Sequence, residues 1–552
     1  MTVLIPLLAR PIVALLATAV LAAVAAPAAA QGTQSPLPAA VTEALQRANV
    51  PLTALAGVVL PLTRFGPRWQ YQADRPMQPG STIKLVTSIV ALERLGPNHR
   101  GFTELLSSAP QQGEVLAGDL VLRGGADPEL GLPQLWAMLA ELRHTHGIRE
   151  IAGDIVVDRT LFRPQRQELG VPPFDEQPEF PYNVIPDALQ LAGSLMRLEI
   201  SSEDPGQPSG TLTARALPPL PGLVIDASGM RLTDRPCKDW DDDWITPPLV
   251  DEPEPGTLRV RLQGGFPKAC TQRPSLQLID RQALVERQLR WLWASLGGSW
   301  TGRAREAPAP LIAPLPAAVV AAAQPPLLPG AAVVTPGVAR AGHPAATPPG
   351  VRVLAIHVAR PWGEVLRTLN KQSDNAFTRL LYLSLGLASM ADEPGATTAA
   401  LAEREVRRWL AERDIGSAGM VLDNGSGMSR AERLTPRQLA LMLKAAQQGR
   451  WAPELMMSLP IAGVDGTLRN RLKTGPAAGL ARLKTGTLRN VSAVAGYVPD
   501  PQGRLWAVVA MVNDDKAAAA RPALDALVDW VARGGMTLRG STGQAIVGGG
   551  PR

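Results

Sequence analysis

The spacing of apolar residues changes along the chain, and the changes mark its predicted elements. Near the front, LAGVVLPL (55–62) and RWQYQA (68–73) have the length and composition of strands, and a Phe-Gly-Pro turn joins them. After the break at Pro79-Gly80, STIKLVTSIVALERLG (81–96) carries apolar residues at intervals of three and four. This spacing predicts a helix with one buried stripe.

The middle of the chain has a different character. From about 104 to 350, short strands and Pro-rich turns alternate, as in GEVLAGDLVLRGGADPELG and IREIAGDIVVDRTLF. The part at 307–349 is rich in Pro and Ala and of low complexity, which predicts a flexible segment. We therefore expect a β-rich region at 104–350, built from two subdomains.

Helical spacing returns after residue 351, in PWGEVLRTLNKQ, NAFTRLLYLSLGL, TTAALAEREVRRWL and TPRQLALMLKAAQQ. A predicted hairpin joins VSAVAGYV to LWAVVAMV, and PALDALVDWVARGG closes the pattern as a helix. Strands at both ends with helices between them predict one discontinuous α/β domain, whose sheet the two ends complete. Its expected parts are 31–103 and 351–540, with the middle region as an insert and 541–552 as a flexible tail.

The N-terminus has the pattern of a signal peptide. Arg10 is the only charged residue among the first 30, an apolar Ala-rich run follows it, and Ala28-Ala29-Ala30 gives a small-residue cleavage site. An uncleaved membrane anchor is the alternative. We expect cleavage before Gln31 and export of the mature protein to the periplasm.

Composition limits the partners of the chain. Its 552 residues exceed one ordinary core, and the formal net charge of +6 is spread without a block of like charges. Aromatic residues make up only 4%, and Arg is scattered. This composition argues against a nucleic-acid groove.

Cys237 and Cys270 are the only cysteines of the chain. Export to an oxidising compartment favours their pairing as a disulfide, with two free thiols as the alternative. No His cluster accompanies them, so we expect neither a metal site nor a cofactor.

Ser81-Thr82-Ile83-Lys84 places a hydroxyl and an amine one helical turn apart on one face. A helix N-terminus favours negative charge on the Ser81 oxygen, and a partly buried lysine can lose its proton and act as a base. The chain has eight Lys against 47 Arg, so a lysine at this position is informative. Alone, however, the pattern is more typical of a helix cap beside a solvated lysine.

Ser373-Asp374-Asn375 lies between two predicted helices, and from such a junction Ser373 and Asn375 can point at one site. A lone tripeptide of this kind is also a common helix cap.

Lys-Thr-Gly occurs twice, at 473–475 and at 484–486. In a serine acyl-transfer site, a backbone N–H on a strand beside the serine has to stabilise the developing oxyanion. Pro476 follows the first copy and has no N–H, whereas Thr487 follows the second and offers an N–H and a hydroxyl. We therefore predict that Lys484, Thr485 and Gly486 form the functional copy and that Lys473 is a loop residue.

The three motifs in this order are the set of penicillin-binding proteins and class A β-lactamases. With its long insert, PYNVIPDAL, NGSGMSR (424–430) and AGVDGTLRNR (462–471), the chain resembles the class C low-molecular-mass penicillin-binding proteins, which are D-alanyl-D-alanine carboxypeptidases/endopeptidases. The resemblance covers about 40–535. The family commonly has Asp where this chain has Asn424, and no counterpart of 307–349 can be placed.

The resemblance implies a penicillin-binding transpeptidase-like domain, with helices packed on an antiparallel sheet and a large insert. It implies that Ser81 is acylated by wall peptides ending in D-Ala-D-Ala or by β-lactams, and that Lys84 takes its proton. It implies that Ser373 protonates the departing amine and that Asn375 orients both the substrate and Lys84. It implies that the terminal carboxylate is bound by Lys484, Thr485 and Thr487, and that the N–H groups of Ser81 and Thr487 hold the oxyanion. It also implies that Asp158 faces the site and recognises an amine-bearing side chain of the peptide.

Three other functions fit the sequence less well. A Ser-His-Asp hydrolase is disfavoured because G-x-S-x-G is absent and the five His lie outside every Gly-flanked Ser motif. A β-lactamase shares the acylation residues, but the long insert favours the peptidase. A non-catalytic wall-binding scaffold is disfavoured by the intact Ser81, Lys84, Ser373 and Lys484.

Overall fold

The structure is a computed structural model, and it describes residues 34–63, 66, 68–203, 211–308 and 350–536. The predicted signal peptide at 1–30, the tail at 541–552 and nearly all of the Pro/Ala-rich segment at 307–349 lie outside the described residues.

The described residues at the front of the chain form two α-helices, two strands and two short 3₁₀ turns. Their bounds are α1 Ala39–Arg47, the 3₁₀ turn Leu52–Ala54, β1 Leu55–Pro61, β2 Trp69–Tyr71, the 3₁₀ turn Gly80–Ile83 and α2 Lys84–Arg94.

The described residues of the middle region are mostly strands, with two α-helices. Their bounds are β3 Phe102–Ser107, β4 Gln111–Gln112, β5 Val115–Leu116, β6 Leu120–Gly125, α3 Leu132–Ala140, β7 Glu150–Ile151, β8 Ile155–Asp158, β9 Met196–Ser201, β10 Thr213–Ala216, β11 Leu223–Thr233, β12 Trp244–Glu254, β13 Thr257–Pro267, β14 Thr271–Gln272, β15 Ser275–Leu276, α4 Arg281–Ser295, β16 Ser299–Trp300, β17 Ala304–Glu306 and β18 Arg352–Val358.

The last part is helical and then returns to strands. Its elements are α5 Trp362–Gln372, α6 Asn375–Leu385, α7 Thr398–Ala411, α8 Pro436–Gln448, α9 Ala452–Ser458, β19 Arg482–Leu488, β20 Val491–Pro499, β21 Leu505–Asn513 and α10 Arg521–Ala532.

One antiparallel sheet joins the two ends of the chain. Its order is β19-β20-β21-β1-β2, so the front strand β1 pairs with β21 along its whole length. Residues alternate between the two faces of β1: Ala56 and Val58 belong to the core formed with α2 and α8, and Leu55 and Val59 to the core formed with α1 and α10. Helices therefore cover both faces, and the predicted α/β fold with helices on an antiparallel sheet is confirmed.

The middle region forms sheets of its own. The largest has the order β17-β8-β6-β3-β18, and smaller sheets have the orders β16-β7-β5-β4, β11-β13-β12 and β10-β9-β14, with β15 also paired to β9. The strand that enters this region, β3, lies antiparallel beside the strand that leaves it, β18. Chain entry and exit are therefore adjacent, as an insertion into another domain requires. The domain limits at 103/104 and 350/351 stay predictions.

A disulfide joins Cys237 to Cys270, so the two cysteines are paired and are not free thiols. The bond lies in the middle region, where it ties the segment after β11 to the start of β14. No helix among the described residues is both long and apolar enough to cross a membrane.

Candidate active site

Ser81 lies in the 3₁₀ turn that leads into α2, and Lys84 is the first residue of that helix. The Lys84 side chain is fully buried, and its Nζ lies 3.2 Å from Ser81 Oγ. Burial, and secondly the nearby charge of Lys484, lowers the pKa of Lys84 well below its usual value. The amine beside Ser81 is therefore one that loses its proton readily.

Lys84 also contacts two acceptors from distant parts of the chain. Its Nζ donates to Asn375 Oδ1 at 2.7 Å and to the backbone carbonyl oxygen of Ser426. With Ser81 Oγ, these acceptors surround the amine on three sides.

Ser373 and Asn375 reach the site because two helices meet between them. Ser373 ends α5 in the left-handed region, with φ 60°, which is unusual for a residue other than glycine. Asp374 then caps α6, its Oδ1 accepting from the N–H of Phe377. This sharp junction turns the flanking side chains, Ser373 and Asn375, toward the two lysines.

Lys484 completes the group from strand β19. Its Nζ donates to Ser373 Oγ at 2.8 Å and to the carbonyl oxygen of Thr485 at 2.9 Å. The side chain is fully buried, and this burial lowers the pKa of Lys484 to about 7. Segments from three parts of the chain thus bring two serines and two buried amines into one cluster.

Close backbone approach sets β19 against the Ser81 turn. A Cβ added to Gly486 would lie 2.5 Å from the carbonyl oxygen of Pro79 and 3.1 Å from the Ser81 nitrogen, so only glycine fits there. The amide nitrogen of the exposed Thr487 lies against Gly80, beside the amide of Ser81. The assignment of these two N–H groups to an oxyanion hole stays a prediction.

The hydroxyl of Thr485 donates to Thr467 Oγ1 at 2.8 Å. Thr467 lies in the 3₁₀ turn Gly466–Leu468 and is exposed, so it forms part of the rim beside β19. A salt bridge between Lys371 Nζ and Asp465 Oδ2, at 2.5 Å, ties this turn to the end of α5.

The first Lys-Thr-Gly copy lies elsewhere. Lys473, Thr474 and Gly475 are exposed and belong to neither a helix nor a strand. Pro476 then begins a turn. The loop environment predicted for Lys473 is the one observed.

The middle region contacts this cluster through one short turn. Asn375 Nδ2 donates to the carbonyl oxygen of Tyr182 at 2.8 Å, and Arg379 Nη1 donates to that of Val184 at 3.4 Å. Asp158 is buried, and its Oδ1 accepts from the N–H and the hydroxyl of Thr160. The proposed contact of Asp158 with substrate stays a prediction.

Sequence reasoning missed three participants: Tyr182, Ser426 and Thr467. The segments NGSGMSR and AGVDGTLRNR were used only as marks of a family, although they carry Ser426 and Thr467. Tyr182 and Ser426 act through backbone carbonyls, which every residue type has, so no side-chain pattern reveals them. Within the described parts of the chain, no group of three His, Cys, Asp or Glu is placed to hold a metal ion.

Comparisons with known proteins find relatives along most of the chain. The model of the D-Ala-D-Ala carboxypeptidase 3 (S13) family matches residues 37–329 and 334–534. A D-alanyl-D-alanine carboxypeptidase of Actinomadura sp. (strain R39) is 29% identical over 469 residues, which cover 82% of this chain and 76% of the relative. D-alanyl-D-alanine carboxypeptidase DacB of Haemophilus influenzae is 24% identical over 460 residues, covering 80% and 82%.

Among solved structures, penicillin binding protein 4 (dacB) from Haemophilus influenzae shares the fold. The TM-score is 0.67 at 22% sequence identity, and the match covers 89% of this chain and 99% of that one. Since the family model spans most of the sequence, the chain belongs to the D-Ala-D-Ala carboxypeptidase 3 (S13) family and is a serine-type D-Ala-D-Ala carboxypeptidase.

Proposed function

We propose that Ser81 is the nucleophile that forms the acyl-enzyme and that Lys84 is its base. Ser81 Oγ attacks the carbonyl carbon of the penultimate D-alanine while its proton passes to Lys84 Nζ. The amide C–N bond then breaks, the terminal D-alanine leaves as an amine with a proton delivered through Ser373, and water hydrolyses the ester.

The observation that carries this proposal is the set of contacts around Lys84 Nζ. A neutral amine has two N–H groups and one lone pair. Asn375 Oδ1 and the Ser426 carbonyl are acceptors only, so they take the two N–H groups. The remaining direction leads to Ser81 Oγ, 3.2 Å away, where the lone pair can accept a proton.

Lys484 and Ser373 serve the leaving side of the substrate. The amine of Lys484 lies 2.8 Å from Ser373 Oγ, which is a hydrogen-bonded path for a proton. A substrate that ends in a carboxylate brings a negative charge to this amine, which favours the protonated form. Lys484, with Thr485 and Thr487, therefore binds the terminal carboxylate, while Gly486 permits the approach.

The substrates are peptidoglycan stems, both free D-Ala-D-Ala ends and D-alanyl cross-links, so the enzyme is also an endopeptidase. β-Lactam antibiotics acylate Ser81 because their ring amide presents the same carbonyl to the same nucleophile. The signal-peptide pattern before Gln31 supports action in the periplasm, where this polymer lies.

The test uses Ser81→Ala, with Ser295→Ala on α4 as the matched control. We expect Ser81→Ala to lose D-alanine release from a pentapeptide, cleavage of cross-linked wall fragments and labelling by fluorescent penicillin, all followed by mass or gel. The control should keep all three. Unchanged D-alanine release by Ser81→Ala would refute the proposed nucleophile, and rapid hydrolytic turnover of penicillin by the wild type would point to a β-lactamase.

A further inference from the structure

A buried carboxylate that the mechanism above does not use lies beneath the nucleophile. Glu432 is fully buried, and its side chain accepts three backbone N–H groups. Oε1 accepts from Gly425 at 2.8 Å and from Asn424 at 3.2 Å, and Oε2 accepts from Gly427 at 3.0 Å. Both oxygens of this carboxylate therefore accept hydrogen bonds from a single four-residue loop, 424–427.

This loop is in direct contact with both Ser81 and Lys84. A Cβ added to Gly427 would lie 2.6 Å from the carbonyl group of Gly80 and 2.8 Å from the Ser81 nitrogen, so the loop backbone packs against the nucleophile turn. The Ser426 carbonyl accepts from Lys84 Nζ. A small displacement of the loop would therefore move the acceptor that takes one N–H of the base.

We propose that Glu432 is a positioning residue for acylation: by tying down the 424–427 loop, it fixes the Ser426 carbonyl and so aims the Lys84 lone pair at Ser81. This inference rests on the proposed role of Lys84 as the base. Were the carbonyl to swing away, the amine would be free to rotate, and the fraction of time in which its lone pair faces Ser81 would fall.

The charge of Glu432 adds a second effect. Burial raises the pKa of Glu432 to about 7, and the charged groups around it are Asp423, Lys84 and Arg379. A negative charge here raises the pKa of Lys84. Removing the charge should therefore let Lys84 become neutral at lower pH, which moves the acid limb of the acylation rate downward.

Two variants separate position from charge. Glu432→Gln keeps the length of the side chain but presents an NH₂ group to at least one N–H donor, and Glu432→Asp keeps the charge but shortens the reach. Glu93→Gln, on the same helix as Lys84 and paired with Arg413, is the matched control.

We would measure the second-order rate constant for acylation by penicillin as a function of pH and divide it by the fraction of folded protein. Thermal unfolding of each variant would be measured in parallel. We expect both Glu432 variants to acylate about 10–100-fold more slowly, because a misaimed base loses much of the contribution of general-base catalysis. Only Glu432→Gln should also shift the acid limb to lower pH. The control should match the wild type.

Wild-type acylation rates per folded molecule in both variants would overturn the proposal, even if their melting temperatures fell, because that result assigns Glu432 a structural role alone. If one variant does not fold, the other decides the question by its rate. A failure of the underlying mechanism is distinguishable, because it would appear as penicillin acylation that keeps the wild-type rate in Lys84→Ala.

Discussion

The same tripeptide occupies two opposite environments in this chain. Lys473-Thr474-Gly475 is exposed in a loop, whereas Lys484-Thr485-Gly486 lies buried in edge strand β19 against the Ser81 turn. Lys484 is desolvated and contacts Ser373, and its pKa is lowered to about 7. The two copies therefore differ in their surroundings and not in their own residues. The residue after each copy also differs: Thr487 can donate an N–H and Pro476 cannot.

Replacing the lysine of each copy is the strongest way to separate them. We expect Lys484→Ala to lower kcat/KM for D-alanine release by about 10³-fold, because substrate loses a charged partner and the leaving amine its proton path. Lys473→Ala should change kcat/KM by less than twofold, as an exposed loop residue does. Equal losses in the two variants, measured on the same pentapeptide, would break the comparison.

Exchanging the residues after each glycine tests the N–H donor. Thr487→Pro removes the hydrogen from the amide nitrogen that lies against Gly80, and edge strands tolerate proline better than central ones. We expect kcat to fall about 10²-fold, the typical loss for one oxyanion-hole donor. Pro476→Thr should leave kcat unchanged, and a circular-dichroism spectrum like that of the wild type would show that Thr487→Pro is folded.

The buried Lys484 that activity requires should lower the stability of the fold. Below pH about 7, Lys484 is charged in both the folded and the unfolded state, so the full cost of burying its charge is present. As pH rises from about 7 toward 10.5, the unfolded chain keeps this proton and the folded chain does not, so the free energy of unfolding increases.

Lys484→Met should therefore raise the free energy of unfolding by about 1–3 kcal/mol at pH 6, after the lost hydrogen bonds are counted, and by less at pH 10. Lys473→Met, at an exposed site, should stay within about 0.5 kcal/mol of the wild type at both pH values. Denaturant titrations of the two variants check this, and a pH-independent difference would contradict the buried charge.

The smallest expected effect concerns Thr467, which contacts Thr485 of the second Lys-Thr-Gly copy. Thr467→Val removes the acceptor of the Thr485 hydroxyl while keeping the shape of the side chain. We expect KM to rise about threefold to tenfold with kcat nearly unchanged, since one hydrogen bond contributes about 1 kcal/mol. Steady-state kinetics with pentapeptide check it, and Thr474→Val is the control.

Much of the site follows from residue types in the sequence, because its chemistry needs particular side chains. The spacing of Ser81 and Lys84 predicted a hydroxyl and an amine on one face, and the proline after the first Lys-Thr-Gly argued for the second copy. The Ser426 and Tyr182 carbonyls could not be predicted, since their place depends on loop packing and not on residue identity. Glu432 was hidden for a related reason: its partners are three backbone N–H groups, which leave no pattern in the sequence.

Strand β1 pairs with β21, so the sheet cannot be completed until most of the chain has been synthesised. Ser81 emerges early from the ribosome, but Lys484 and the strands that hold it come last. At about 5–20 residues per second, synthesis from Ser81 to Lys484 takes roughly 20–80 s. A chain that stops short of β19 therefore carries Ser81 without Lys484, and the cluster of two serines and two buried amines is complete only when synthesis is nearly finished.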